Sequence, residues 1–139
     1  GQAVLSDRGF VGRVSAVANN SARLLLATDI NSRVPVILES TRTRAVMVGH
    51  NTDRPKLIHL PSGAKITSSE RVLTSGHGGV FPPGLPIGLI ASVSDRGIEV
   101  QQFTDYHQLE FVRIVDFGMT GLVNVAPLKN KAEGSPSKE

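Results

Sequence analysis

Short apolar runs recur along the whole chain, each four to eight residues long and each ended by Gly, Pro, Asn, Asp or Ser. They are 3–6, 11–17, 22–28, 34–39, 44–49, 56–60, 71–75, 86–93, 97–103, 109–115 and 121–125. No long stretch places apolar residues at helical spacing. Runs of this length with such punctuation predict β-strands, and so many in one chain predict sandwiches or barrels. Asn19-Asn20 is expected to take positive φ in a hairpin turn, and Asp95-Arg96-Gly97 supplies a glycine for the same purpose. Pro35 inside its run predicts an edge or strand-start position. The closing stretch 129–139 is polar and charged, and reads as a disordered tail.

The chain also repeats itself. Shifted by 76 residues, GRVSAV (12–17) falls on GLIASV (88–93), and Thr28-Asp29 falls on Thr104-Asp105. Upstream, AVLSD (3–7) matches RVLTSG (71–76), with a longer connection in the second copy. The fold class expected is therefore all-β: two small tandem β-barrels of about six strands each, at 1–66 and 67–128. The second-ranked arrangement inserts 33–103 into a barrel made from both ends of the chain.

Composition narrows the function. Apolar residues make up 40% of the 139, enough for a core, and 14 glycines with 8 prolines fit a turn-rich β protein. Without cysteine there is neither disulfide nor thiolate chemistry. No apolar run is long enough to span a membrane as a helix. GQAVLSD carries no initiator Met, which reads as a fragment of a longer protein, any targeting segment lying elsewhere. Net charge is +3, with arginines scattered among 12 acids and few aromatics. That is unlike the basic stripe of a nucleic-acid binder, and no nucleic-acid partner is expected. Arg42, Arg44 and Arg54 can form a local basic patch, which keeps a polyanion-binding module as a competing reading.

The stretch VLTSGHGGVFPPGLPIG (72–88) holds five glycines, three prolines and a histidine. Ser75 and His77 share a strand face and make the only candidate hydrolase pair. No G-x-S-x-G elbow accompanies them, and nothing selects an orienting acid. The prolines remove N–H donors that a phosphate cradle needs, and no P-loop is present. His50, His59, His77 and His107 lack the short spacing of a metal site. No catalytic residue, cofactor or metal ligand is therefore assigned. The loop reads as backbone engineering: Pro83-Gly84 suits a type II turn, and Phe81 folds back to plug a barrel mouth. Gly88 marks a kink in a barrel strand.

GFVGRV (9–14), Thr28-Asp29, SRVPV (32–36) and above all RVLTSGHGGVFPPGLPIG (71–88) resemble the periplasmic domain of the MreC family of bacterial rod-shape-determining proteins. The resemblance covers residues 1 to about 125. Two departures touch turns: Ser69-Glu70 stands where Gly-Asp is usual, and STRTR (40–44) lacks a glycine often found there. The resemblance implies two six-stranded barrels distantly like those of chymotrypsin-type proteases, but without a triad. It implies a non-catalytic scaffold of cell elongation in the periplasm, held to the inner membrane by an N-terminal helix and coiled coil absent here. The implied partners are the class B penicillin-binding transpeptidase, MreD, other elongation proteins and further copies of the chain, as dimer or filament. No partner-binding motif comes with it. The candidate anchors rest on residue type: Tyr106, whose hydroxyl suits a half-wet interface, then Phe10 and Phe81, each of which can instead be core.

Overall fold

The structure is a computed structural model describing residues 2–108, 111–115 and 125–127. Its strands are β1 (Ala3–Leu5), β2 (Phe10–Val17), β3 (Ala22–Leu26), β4 (Arg33–Leu38), β5 (Arg44–Val48) and β6 (Lys56–Ile58). They continue with β7 (Arg71–Thr74), β8 (Pro86–Ser94), β9 (Gly97–Gln102), β10 (Phe111–Val115) and β11 (Val125–Pro127). Two single 3-10 turns, His77–Gly79 and Tyr106–Gln108, are the helical elements among the described residues. None is long and apolar enough to cross a membrane. The molecule is all-β, and the apolar runs mark its strands. The 129–139 segment lies outside the described residues.

β4 to β9 close into a six-stranded barrel in the order β4-β5-β6-β9-β8-β7. The strands before and after it form a five-stranded sheet, β11-β10-β1-β2-β3. The barrel therefore spans Arg33 to Gln102, nested within the sheet unit. This corrects the tandem division. A boundary at 66/67 would part β6 from β9 and β4 from β7, which are hydrogen-bonded neighbours. The sheet unit has five strands among the described residues.

The repeat itself is real, but it is three strands long. Ala27 N–H donates to Val11 O and Phe103 N–H to Ile87 O, both at 2.9 Å. Val14 N–H donates to Gln2 O and Ile90 N–H to Glu70 O, again at 2.9 Å. β2 bulges at Ser15 and β8 at Ala91, 76 residues on. A three-strand ribbon leaves both edges open and must find more strands. The ribbon β7-β8-β9 takes β4, β5 and β6 from upstream. The ribbon β1-β2-β3 takes β10 and β11 from downstream. One repeated motif thus completes itself in opposite directions, which is why its length does not equal that of a unit.

The larger core fills the barrel with Val34, Val36, Leu38, Met47, Val72, Ile87, Ile90 and Val100. It extends out to Ala3, Phe10 and Ala27 of the sheet, so the two units share apolar interior. A smaller cluster, Val4, Val11, Val14, Val112 and Ile114, lies in the sheet unit, with Leu24, Leu26 and Tyr106 packed against it. Pro35 is not at an edge. β4 lies between β5 and β7, but its ladder with β7 stops at Val36–Thr74. Pro35 sits just past that end, where its carbonyl accepts the Ser75 N–H at 3.1 Å and its missing N–H leaves no gap in the ladder.

One turn expectation needs revision. Neither Asn19 nor Asn20 has positive φ; the β2–β3 turn closes through Ala18 N–H to Ser21 O at 2.8 Å. Positive φ instead occurs at Arg42 (59°) and Ser69 (71°), at the two places where a glycine was missing from the pattern. Gly97, at 120°, does serve the β8–β9 turn.

Next to Ser69, the buried Glu70 ties β7 to the β4–β5 turn. Its Oε2 accepts from the Ser40 hydroxyl, from the Thr41 N–H at 3.0 Å and from the Thr41 hydroxyl at 3.1 Å. Burial pushes the carboxyl up, but the hydrogen bonds from Ser40 and Thr41 outweigh it and hold Glu70 below its ordinary 4.5. A depressed folded value contributes stability above the unfolded value, and that contribution is lost as pH falls through the folded one. The domain is therefore expected to lose stability on acidification below pH 4.5, first at the turn after Leu38. Urea titrations between pH 6 and pH 3 check this: Glu70→Gln should flatten the part of the slope that Glu70 supplies.

Candidate interaction surfaces

The glycine-rich loop is an enlarged copy of a two-residue turn. In the first repeat, Ser6 Oγ accepts the Gly9 N–H at 3.2 Å, and Ser6 N–H donates to Gly9 O at 2.8 Å. In the second, Thr74 Oγ1 accepts the Leu85 N–H at 2.9 Å, and Thr74 N–H donates to Leu85 O at 2.9 Å. The same clamp closes both loops, but the second encloses residues 75–84 in place of 7–8. Within it, Ser75 Oγ accepts the backbone N–H of His77 at 3.1 Å. The hydroxyl braces its own turn, and the imidazole is not its partner. The Ser75–His77 pair does not have the geometry of a nucleophile and its base.

Gly84 follows Pro83 with φ 84°, as a type II turn requires, and its N–H donates to Thr74 O at 2.8 Å. A Cβ there meets nothing within 4 Å, so only the backbone angle demands glycine. Gly84→Val is expected to cost about 1–2 kcal/mol, the penalty of a left-handed angle for a side-chain-bearing residue. Thermal melts of the variant check it; an unchanged midpoint would remove Gly84 from that role.

The three candidate anchors have different fates. Phe10 and Phe81 are buried, at 0% and 2% exposure, and meet edge-to-face with ring centroids 5.1 Å apart. Phe81 closes the barrel onto the sheet unit, and no partner can reach either ring without opening the molecule. Tyr106 is half-buried between the units: its hydroxyl donates to Val11 O at 2.9 Å and lies 3.2 Å from Gln102 Oε1. Burial pushes that hydroxyl up to about 12. Tyr106 also lines a polar groove of about 380 Å³, with Asp53 and Arg54 on one wall and the segment 101–107 on the other. Of the anchors, it alone faces solvent-accessible space.

The interface between the units has further polar fastenings. Ser6 and Thr104 hydroxyls are 2.7 Å apart, and Gln102 Nε2 donates to Phe10 O at 3.4 Å. The basic patch of the competing reading does not assemble: Arg42 and Arg44 are at one end of β5, while Arg54 follows its other end and pairs with Glu99 at 3.8 Å. Among the described residues no group of three metal-ligating side chains converges. Composition reasoning missed the groove, whose signal was present as the second Thr-Asp pair of the repeat.

A closed six-stranded barrel nested in a second β unit, joined through one shared core, defines a rigid two-unit β module with a grooved surface. The family model for the rod shape-determining protein MreC, barrel core, matches residues 1–116. The chain is 43% identical over 117 residues to the cell shape-determining protein MreC of Caulobacter vibrioides, covering 84% of this chain and 34% of that one. The crystal structure of MreC from Pseudomonas aeruginosa is similar, with TM-score 0.73 and 27% identity over 82% of this chain and 78% of that one. A further match, described as the major periplasmic domain from the cell shape-determining filament MreC, has TM-score 0.68 and 25% identity, covering 80% of this chain and 74% of the other. The chain belongs to the MreC family of cell shape-determining proteins. It spans about a third of the length of the first curated relatives it matches, 34% and 38%.

Proposed function

We propose that this domain is a non-catalytic periplasmic scaffold of the cell-elongation machinery, which binds the class B penicillin-binding transpeptidase and self-associates. The observation that carries the reading is the shared core. Phe10, Phe81 and Ala3 weld the units into one body, and a body of fixed shape presents a fixed surface to a partner. The Ser75 hydroxyl is committed to its own turn, which removes the support for a hydrolase. A relative described as the periplasmic domain of a filament supports both the location and the self-association. Tyr106, at the groove, is the anchor of the three that remains available. MreD and an N-terminal membrane anchor belong to the same reading.

Calorimetry tests this with a dimeric form carrying the coiled coil, titrated with the non-catalytic periplasmic region of the transpeptidase. Dimerisation raises effective concentration, so binding should be detectable where the isolated domain binds weakly. No heat at high micromolar concentration would end the direct-contact reading.

A further inference from the structure

The two Thr-Asp segments of the repeat have the same local fold. Asp29 Oδ1 accepts the Asn31 N–H at 2.7 Å, and Asp105 Oδ1 accepts the His107 N–H at 2.9 Å. Ser32 N–H donates to Asp29 O at 2.9 Å, and Gln108 N–H to Asp105 O at 3.0 Å. What covers them differs. The first segment is covered by the loop after β5. Asn51 N–H donates to Thr28 O at 2.8 Å, and Ile30 N–H donates to Asn51 Oδ1 at 3.2 Å. Gly49 lies so close that a Cβ would stand 2.4 Å from Thr28 C. A Gly-x-Asn turn thus recognises one carbonyl and one N–H by backbone approach and a side-chain amide.

The second segment offers the same pair, Thr104 O and Tyr106 N–H, and neither has a hydrogen bond among the described residues. Both residues line the open groove. The sequence holds no second Gly-x-Asn with which to cover it. The loop Gly49-His50-Asn51 of any second copy is already engaged in its own molecule.

We propose that the groove at Thr104–His107 docks a Gly-x-Asn turn of a partner protein, whose Asn N–H bonds Thr104 O and whose side-chain oxygen accepts the Tyr106 N–H. This rests on the scaffold reading and gives it a contact point. The probe is a synthetic peptide of this chain's own turn, residues 47–54 (MVGHNTDR), added to the full chain. Tyr106 is the only tyrosine and there is no tryptophan, so tyrosine fluorescence and the Tyr106 amide shift both report on the groove. Saturable changes in both are expected, with half-saturation near ~1 mM, as befits two hydrogen bonds. The Asn→Ala peptide should bind about fivefold more weakly. Gln101→Phe, which fills the groove from an exposed strand position, should abolish peptide binding with an unchanged melting midpoint and lower capture of the transpeptidase region.

No saturable change, or equal binding of the Asn→Ala peptide, overturns the proposal. Peptide binding lost in Gln101→Phe while transpeptidase capture stays whole overturns the groove as the partner contact and leaves the scaffold reading standing. Absence of capture by the unaltered chain refutes the scaffold reading itself, and the peptide titration then decides the groove alone.

Discussion

Phe10→Ala is expected to destabilise the domain by about 3–5 kcal/mol, the usual cost of emptying a buried phenylalanine site. Phe10 is fully buried and touches both units at once. Its neighbours cannot easily collapse into the space. Gly9, Pro86 and the barrel strands are fixed by backbone contacts, and a Cβ at Gly9 would already stand 2.5 Å from Pro86 O. Domains of this size have only about 5–15 kcal/mol in total, so the variant should be largely unfolded near its working temperature. Phe81→Ala removes the other ring of the same contact. A double-mutant cycle in urea should give a coupling of about 0.5–1.5 kcal/mol, as for other edge-to-face pairs. Additive losses would mean that the rings serve two separate cores.

That contact also shows where sequence reading works and where it stops. Strand positions were legible because each strand is a local object: an apolar run between turn-forming residues. The mirrored clamps at Ser6 and Thr74 were foreshadowed by AVLSD and RVLTSG. Unit division was legible only as two ranked arrangements, and the nested one, 33–103, was ranked second, because closure depends on which edges meet. The pairing of β4 with β7 joins residues more than thirty positions apart, from Val36 to Thr74. Nothing local in either strand names its neighbour. Phe10 and Phe81 illustrate the same limit for the site. A phenylalanine in a Gly-rich turn reads alike as an anchor or as core, and only the arrival of the second ring from across the fold decides it. Tyr106 was chosen for its hydroxyl. That hydroxyl in fact donates to Val11 O, and Tyr106 is one of the residues lining the groove.

Gly88→Ala is expected to be at least as damaging, about 3 kcal/mol or more, for a different reason. Gly88 pairs with Gln102 in the β8–β9 ladder, and a Cβ on it would stand 2.1 Å from Gln101 O and 2.8 Å from Gln102 Cα. Those are backbone atoms of a strand held on its other side by β6, so they cannot move without opening the barrel. Overpacking of this kind ordinarily costs about 1–3 kcal/mol, and more where the obstacle is main chain. Gly12 is the same position in the first repeat: it pairs with Leu26, and its Cβ would stand 2.1 Å from Leu25 O. There, β3 is the last strand of its sheet among the described residues, free to shift outward. Gly12→Ala should therefore cost measurably less than Gly88→Ala. Neither glycine has a positive φ, so the penalty is steric, whereas at Gly84 it comes from the backbone angle. Chemical denaturation of the two variants side by side tests the difference. Equal losses would show that β3 is held as firmly as β9.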